Sequence, residues 1–348
     1  MDNRERITLL REKGILSRED FTALLTTMTH DDEEFLYEQA REVREEIYGK
    51  DVYIRGLIEF TNYCRKDCLY CGIRASNKEC DRYRLTKDQI MECAGTGYEL
   101  GFRTFVLQGG EDMTFTDEEM CSIISDLRKG WPDCAITLSV GERERKTYEA
   151  YFEAGADRFL LRHESITPGH YSQLHGGKLG IDTRVKCLKD LKDIGFQTGC
   201  GIMIGSPGQK VEHLVNDLEF MKEFKPQMVG MGPFIPHAQT PFKDEPAGSL
   251  EDTLHMLGIV RLMLPDVLLP ATTALGTIIP DGRELGLLAG ANVVMPNLSP
   301  KQFRSKYTLY NGKLATGEEA AESVEKLRRK VESTGYRVVT ARGDHAKV

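Results

Sequence analysis

Along residues 1–50, apolar side chains recur at Phe35, Ala40, Val43 and Ile47, a spacing that predicts polar helices presenting one apolar face to the main fold. At Val52 the texture changes. The run from Val52 to Phe60 is rich in β-formers, and beyond it short strand-like runs alternate with amphipathic helix-like runs. Strands are expected at roughly 52–60, 104–108, 135–139, 158–163, 197–203, 227–232, 267–271 and 292–295. Helix, glycine, strand is a recurring join, seen at Gly101-Phe102, Gly155-Ala156-Asp157, Gly195-Phe196 and Gly290-Ala291-Asn292, where glycine takes the left-handed conformation that ends a helix. Strict alternation predicts a parallel sheet, and eight units predict closure into a complete (β/α)8 TIM-type barrel, with an open doubly wound sheet as the alternative. The tail reads as an amphipathic helix from about Glu318, with Val324, Leu327 and Val331 apolar, followed by Gly335 and a short strand from Tyr336 to Ala341. The expected organisation is thus a helical extension (1–50), a barrel (51–312) and a C-terminal cap (313–348), with the chemistry at the C-terminal ends of the strands.

Composition narrows the function classes. At 348 residues, 40% of them hydrophobic, the chain is long enough to bury ~75% of its unfolded surface, which excludes disorder as a description of the whole. A net charge of −8 argues against broad binding to nucleic acid or to an anionic membrane, because both need a cationic face. The first residues mix charges with no apolar stretch behind them, and no run of 18 apolar residues occurs, so a cytoplasmic, soluble protein is expected. Nine cysteines, an odd number in a chain too long to need staples, point to metal binding or redox chemistry in a reducing compartment.

The cysteines have one informative cluster. Directly after the first expected strand comes Cys64-Arg65-Lys66-Asp67-Cys68-Leu69-Tyr70-Cys71-Gly72, a CxxxCxxC loop. Three close thiolates can wrap one face of a cubane 4Fe-4S cluster, which takes four ligands when protein alone supplies them, so one iron stays open for a small molecule. Two other readings stand beside this one. Positions 64, 68 and 71 also fit the buried stripe of a helix, and Cys80 as a fourth ligand would make a closed zinc site or electron-transfer cluster.

CxxxCxxC with an aromatic residue before the third cysteine resembles the signature of radical S-adenosylmethionine (SAM) enzymes. Residues 51 to 312 resemble the HydE family of FeFe-hydrogenase maturases, in the branch that includes biotin synthase and methylornithine synthase. The segments that carry the likeness are Val106-Leu107-Gln108-Gly109-Gly110-Glu111-Asp112, Leu160-Leu161-Arg162-His163-Glu164, Gly230-Met231-Gly232-Pro233-Phe234-Ile235-Pro236-His237 and Pro270-Ala271-Thr272-Thr273-Ala274. The resemblance implies a complete (β/α)8 barrel and an anaerobic enzyme in which Cys64, Cys68 and Cys71 hold the cluster. It further implies that SAM binds the open iron and is cleaved reductively to a 5′-deoxyadenosyl radical.

Further roles follow at the other strand ends. The glycines of Gly109-Gly110-Glu111 would let backbone groups approach a ligand, with Glu111 facing the SAM ammonium. Residues two apart in a strand share a face, so Thr137 pairs with Ser139 and Arg162 with Glu164. The resemblance makes Ser139, Glu164 and Arg184 SAM contacts, Arg184 suiting the methionine carboxylate, and adds Tyr70 and Thr137 to that set. His163 should point away from the lumen as a packing histidine. The glycine-rich stretch from Gly199 to Gly208, which includes Met203, resembles the adenosine-binding motif, and Pro233-Phe234-Ile235-Pro236 offers a wall for the adenine. Arg162, Thr272, Thr273 and Tyr307 are expected on the substrate, and Tyr307 and Tyr310 to shield the barrel mouth. From Arg65 to Arg84 six cations (Arg65, Lys66, Arg74, Lys78, Arg82, Arg84) face three acids (Asp67, Glu79, Asp81), a patch for docking a ferredoxin or flavodoxin as electron donor.

By resemblance the function is assembly of the di-iron precursor of FeFe-hydrogenase, from a small cysteine-bound iron substrate supplied by a partner maturase. A methylornithine synthase-like lysine mutase and a non-catalytic iron–sulfur electron carrier are the alternatives. No cysteine follows Cys200, so no accessory cluster is expected near the C-terminus.

Overall fold

The computed structural model describes residues 1–177, 179–313 and 323–347. Three helices lead, Asn3–Lys13, Arg18–Thr27 and His30–Tyr48. The third is opened by a reciprocal cap between Thr29 and Asp32, which satisfies two orphan backbone N–H groups. Its buried stripe is Leu36, Ala40, Val43, Arg44 and Tyr48, one residue round from the expected face. Ile47 is exposed, and Phe35 is half-buried, with the Arg4 guanidinium over its ring at 5.2 Å. Leu36 packs so closely on helix Leu250–Met263 that a Cβ on Gly258 would lie 2.9 Å from it, and this contact sets the rotation.

The strands are β1 Asp51–Ile54, β2 Gly56–Thr61, β3 Thr104–Gly109, β4 Ala135–Ser139, β5 Arg158–Leu160, β6 Gln197–Ile204, β7 Met228–Pro233, β8 Val293–Val294 and β9 Arg337–Val339. The strands β2 to β7 form one parallel sheet in sequence order, and a second sheet runs β8-β1-β9. The chain is therefore an α/β protein built on a parallel sheet, its helices lying between successive strands. Helices Lys87–Glu99 and Asp117–Gly130 open with reciprocal caps, Thr86 with Gln89 and Thr116 with Glu119, each worth about 1 kcal/mol.

Four expectations need correction. The run 52–60 is broken at Arg55, because β1 pairs with β8 and β9 whereas β2 pairs with β3. The fifth strand ends at Leu160 rather than 163, since Glu164 turns into the left-handed region at φ 61°. Residues 267–271 form isolated bridges, Met228 to Leu268 and Pro270 to Val293, rather than a strand; Pro265 and Pro270 have no N–H to give a ladder. The eighth strand is two residues long, and Asn297 bridges back to Leu57.

The tail behaves as read where it is described. Helix Val324–Glu332 buries Val324, Leu327 and Val331, and β9 adds to β1 through Arg337 N–H to the Lys50 carbonyl at 2.9 Å. The expected start of that helix, 318–322, lies outside the described residues. One hydrophobic core runs from Ile7 and Leu10 through the sheet to Leu327 and Val338.

Candidate active site

Strand β2 delivers the chain into the cysteine loop, which is irregular from Asn62 to Tyr83, so the helical-stripe reading fails. The loop is fastened by its polar residues. Asn62 donates to the carbonyls of Asp81 and Lys306, both at 2.8 Å, and accepts from Tyr83 N–H at 2.7 Å. Asp67 receives Arg74 bidentately at 2.8 and 2.7 Å together with the Ser76 N–H and hydroxyl, and these donors hold its carboxyl well below the usual range. Gly72 donates to the Leu309 carbonyl at 2.9 Å, and a Cβ there would sit 2.1 Å from the Thr308 carbonyl oxygen, so only glycine fits after Cys71. Residues 306–309 are in this way stitched to the loop, and Asn311 continues the seam to the Pro236 carbonyl at 3.0 Å.

Cys64, Cys68 and Cys71 all line one cavity of about 350 Å³ at the C-terminal ends of the strands. Around a single tetrahedral ion, three thiolates at ~2.3 Å would lie within about 4 Å of one another. Among the described residues, the only three metal-ligating side chains with all donor atoms within 4.8 Å are Glu33, Glu251 and His255, far from this loop. The three cysteine sulfurs do not form such a group here, and it is their shared place on one cavity that suits the corners of a cluster. Cys80 is not in the lining; its sulfur receives Asn62 Nδ2 at 3.6 Å. Burial pushes all three thiols up, Cys68 to about 12, and their mutual repulsion adds to the rise for Cys68 and Cys71. Thiolates are stable at such a place only beside a compensating cation, which bound iron supplies. The N–H groups of Lys66 and Glu111 already point at the Cys64 sulfur, each at 3.4 Å.

Of the other residues singled out in the sequence, Tyr70, Gly110, Glu111, Ser139, Arg162, Glu164, Arg184, Met203, Pro233, Thr272, Thr273, Tyr307 and Tyr310 join the same lining. Thr137 does not; it is buried below Ser139, its hydroxyl without a partner. Gly110 also meets a packing demand. A Cβ there would lie 2.2 Å from the Tyr63 carbonyl oxygen, so the space it leaves is filled by the cysteine loop. Arg162 donates to Glu164 at 2.9 Å and to the Ile202 carbonyl at 2.6 Å. They meet across a turn rather than along a strand, and the left-handed backbone of Glu164 is the kind of strain that persists where surroundings enforce it. His163 lies outside the lining, fully buried on Asp217 at 3.2 Å, as its packing role requires.

Glu142, just beyond β4, was not singled out by the sequence, yet it organises this side of the cavity. It accepts Arg184 Nε and Lys66 Nζ, both at 2.6 Å, while Arg184 Nη1 donates to the Arg162 carbonyl at 2.6 Å. Burial pushes the Glu142 carboxyl up, but Arg184 and Lys66 outweigh it and bring it down to about 2. Glu111 accepts Arg65 at 2.9 Å and the Glu142 N–H at 3.0 Å, so its carboxylate is already engaged. Most of the supposed docking cations are likewise employed inward: Arg65 on Glu111, Lys66 on Glu142, Arg74 on Asp67, Arg84 on Asp112 and Arg82 on backbone carbonyls. Of the six, Lys78 is exposed and makes no hydrogen bond or ion pair among the described residues.

Comparison with known proteins agrees with this geometry. Residues 58–221 match the Radical SAM superfamily. The chain is 43% identical over 324 residues to the FeFe-hydrogenase maturase subunit HydE of Thermotoga maritima, covering 93% of this chain and 92% of that one. It is 30% identical to 3-methylornithine synthase of Methanosarcina barkeri, covering 92% and 90%. The crystal structure of methylornithine synthase (PylB) superposes with a TM-score of 0.86 over 97% of each chain at 27% identity. Members of this superfamily use a 4Fe-4S cluster and SAM, which the three-cysteine loop and the charged cavity beside it fit. The chain belongs to the radical SAM superfamily of enzymes, close to HydE within the group that also contains methylornithine synthase and biotin synthase.

Proposed function

We propose that this chain matures FeFe-hydrogenase as HydE does, acting on a small cysteine-bound iron complex made by a partner maturase. The observation that carries the reading is the 43% identity to HydE across nearly the full length of both chains. Bound together, cluster and SAM supply a 5′-deoxyadenosyl radical once one electron is delivered. The protein's own part is to hold and orient. Cys64, Cys68 and Cys71 take three corners of the cluster. Tyr70, Gly110, Glu111, Ser139, Glu164, Arg184, Met203 and Pro233 surround SAM, with Thr137 supporting Ser139 from below. Arg184 has its guanidinium plane fixed by Glu142 and the Arg162 carbonyl, ready for a carboxylate. Arg162, Thr272, Thr273 and Tyr307 form the substrate wall, where the Thr272 hydroxyl and Arg162 Nε are buried without partners.

The fold proposed around this site is a closed eight-stranded barrel between a helical extension (1–50) and a cap (313–348). The bridges Leu268 to Met228, Pro270 to Val293 and Asn297 to Leu57 support it, since they link the sheet's last strand back to its first. A cytoplasmic location accords with nine free cysteines, and none of the described helices is long and apolar enough to cross a membrane. A ferredoxin or flavodoxin is the electron donor we favour, docking beside the cysteine loop where Arg65 and Lys78 are exposed.

The test is anaerobic reconstitution with iron and sulfide, EPR with and without SAM, and hydrogenase activation in a defined maturation mixture. Activation is expected. The likeness to PylB favours a second reading, which conversion of lysine to methylornithine by the purified protein would establish. A cluster with a reversible redox couple and no 5′-deoxyadenosine formed from SAM would instead mark an electron carrier.

A further inference from the structure

The cavity has a second charged feature, remote in sequence from every motif above. Glu59, on β2, is fully buried, and Lys313 reaches it in an ion pair across 254 residues of chain. The Lys313 side chain is itself only 7% exposed. The other carboxylate oxygen of Glu59 accepts Asn297 Nδ2 at 2.9 Å, so each oxygen of the acid has a donor. The lysine has more to give among the described residues. Its ammonium carries three donors, one committed to Glu59, and it lies 4.9 Å from the centroid of the Tyr307 ring. The Tyr307 hydroxyl accepts from Gln108 Nε2 at 3.4 Å, which leaves its own proton to give. Glu59, Gln108, Tyr307 and Lys313 all line the same cavity as the cysteines.

A buried ion pair is poor value as a stabilising device, because desolvating both ions offsets much of their attraction. This one faces a chamber rather than packed core, and its outward chemistry is a fixed cation with spare N–H groups beside a phenol O–H. Donors of that kind, without a free acceptor charge among them, suit an anion. We infer that Lys313, held in place by Glu59, is a positioning residue that binds an anionic group of the substrate on the β2–β3 side of the cavity. The inference rests on the reading of this cavity as the substrate chamber of a maturase and names a residue outside the set proposed for it.

The experiment uses the cluster-loaded full chain and three variants, Lys313→Met, Lys313→Arg and Glu59→Gln. Each is checked for iron content, melting temperature and the EPR shift on adding SAM; iron content and the EPR shift are expected to stay near wild type in the lysine variants, whereas Lys313→Met should melt lower because it leaves Glu59 buried and unpaired. With a synthetic cysteine-bound iron dicarbonyl cyanide complex as substrate, Lys313→Met should raise the half-saturating concentration at least tenfold while changing the maximal rate less than threefold. Lys313→Arg should restore it, and Glu59→Gln should fall between. Calorimetric titration of SAM-bound protein with sodium formate, a small anion, gives a readout independent of turnover; Lys313→Met should bind it at least tenfold more weakly. Equal formate affinity and equal half-saturation in wild type and Lys313→Met would overturn the inference. Wild-type protein that binds formate through Lys313 yet never processes the iron complex would overturn the maturase reading and leave the anion site standing.

Discussion

The two sides of the cavity differ in how finished they are. On the cluster side, Arg65, Lys66, Glu111, Glu142 and Arg184 form one network in which every charge meets an opposite charge. Elsewhere in the lining the Thr272 hydroxyl and Arg162 Nε are buried without partners, and among the described residues the Lys313 ammonium is committed to Glu59 alone. A saturated network is rigid before anything binds, which suits a cofactor that must arrive in a single orientation. Unspent donors carry a desolvation cost of about 1–3 kcal/mol apiece, which a ligand with matching acceptors relieves. The first side is built for geometry and the second for recognition.

The contrast can be broken hardest at its centre. Replacing Cys64, Cys68 or Cys71 by alanine should abolish cluster binding and lower SAM cleavage by at least about 1000-fold, read by iron content and 5′-deoxyadenosine yield. Cys80→Ala should keep its iron; loss of iron there would revive a four-cysteine site. Next in size, Glu142→Gln should weaken SAM binding by about 10–100-fold, because Arg184 and Lys66 lose the carboxylate that orients them. An unchanged SAM titration, followed by EPR, would show that the network is ornamental.

The same carboxylate sets a pH dependence. Its folded pKa of about 2 lies below the ordinary 4.5, so the stabilisation is complete above pH ~4.5 and is lost as pH falls toward 2. That difference corresponds to about 3 kcal/mol, visible as a steeper drop in melting temperature between pH 5 and 3 in wild type than in Glu142→Gln. The smallest effect expected is from Thr272→Val in the proposed substrate set. It should leave SAM cleavage untouched, slow the substrate-dependent step by about tenfold, and slightly raise the melting temperature by removing an orphaned hydroxyl. A matching loss in SAM cleavage would erase the distinction between the two sets of residues.

How much of this was legible in the sequence depends on distance along the chain. Cys64, Cys68 and Cys71 sit within eight residues and announce themselves by spacing. Ser139, Glu164 and Thr272, which line the cavity, were pointed to by their places near expected strand ends and, for Ser139 and Glu164, by the family resemblance. Glu142 escaped, although it lies three residues beyond Ser139, since its partners Lys66 and Arg184 are 76 and 42 residues away and no local pattern joins them. The pairing of Glu59 with Lys313 is more remote still. Gly110 and the basic segment carry further contacts that the sequence could not show, because these are set by the chain segment lying against them, the Tyr63 carbonyl in one case and Glu111, Glu142 and Asp112 in the other. The strand edges blurred where proline interrupts the ladder and where Glu164 turns left-handed.

The stitching of residues 306–309 to the cysteine loop has one more consequence. Leu309 and Lys306 present their carbonyls to Gly72 and Asn62, so traffic past that flank and shelter of the iron share the same fastenings. Anything that prises the flank open loosens the collar around an air-sensitive metal. Loss of iron in air should therefore rise when these fastenings are weakened, and not depend on exposure time alone.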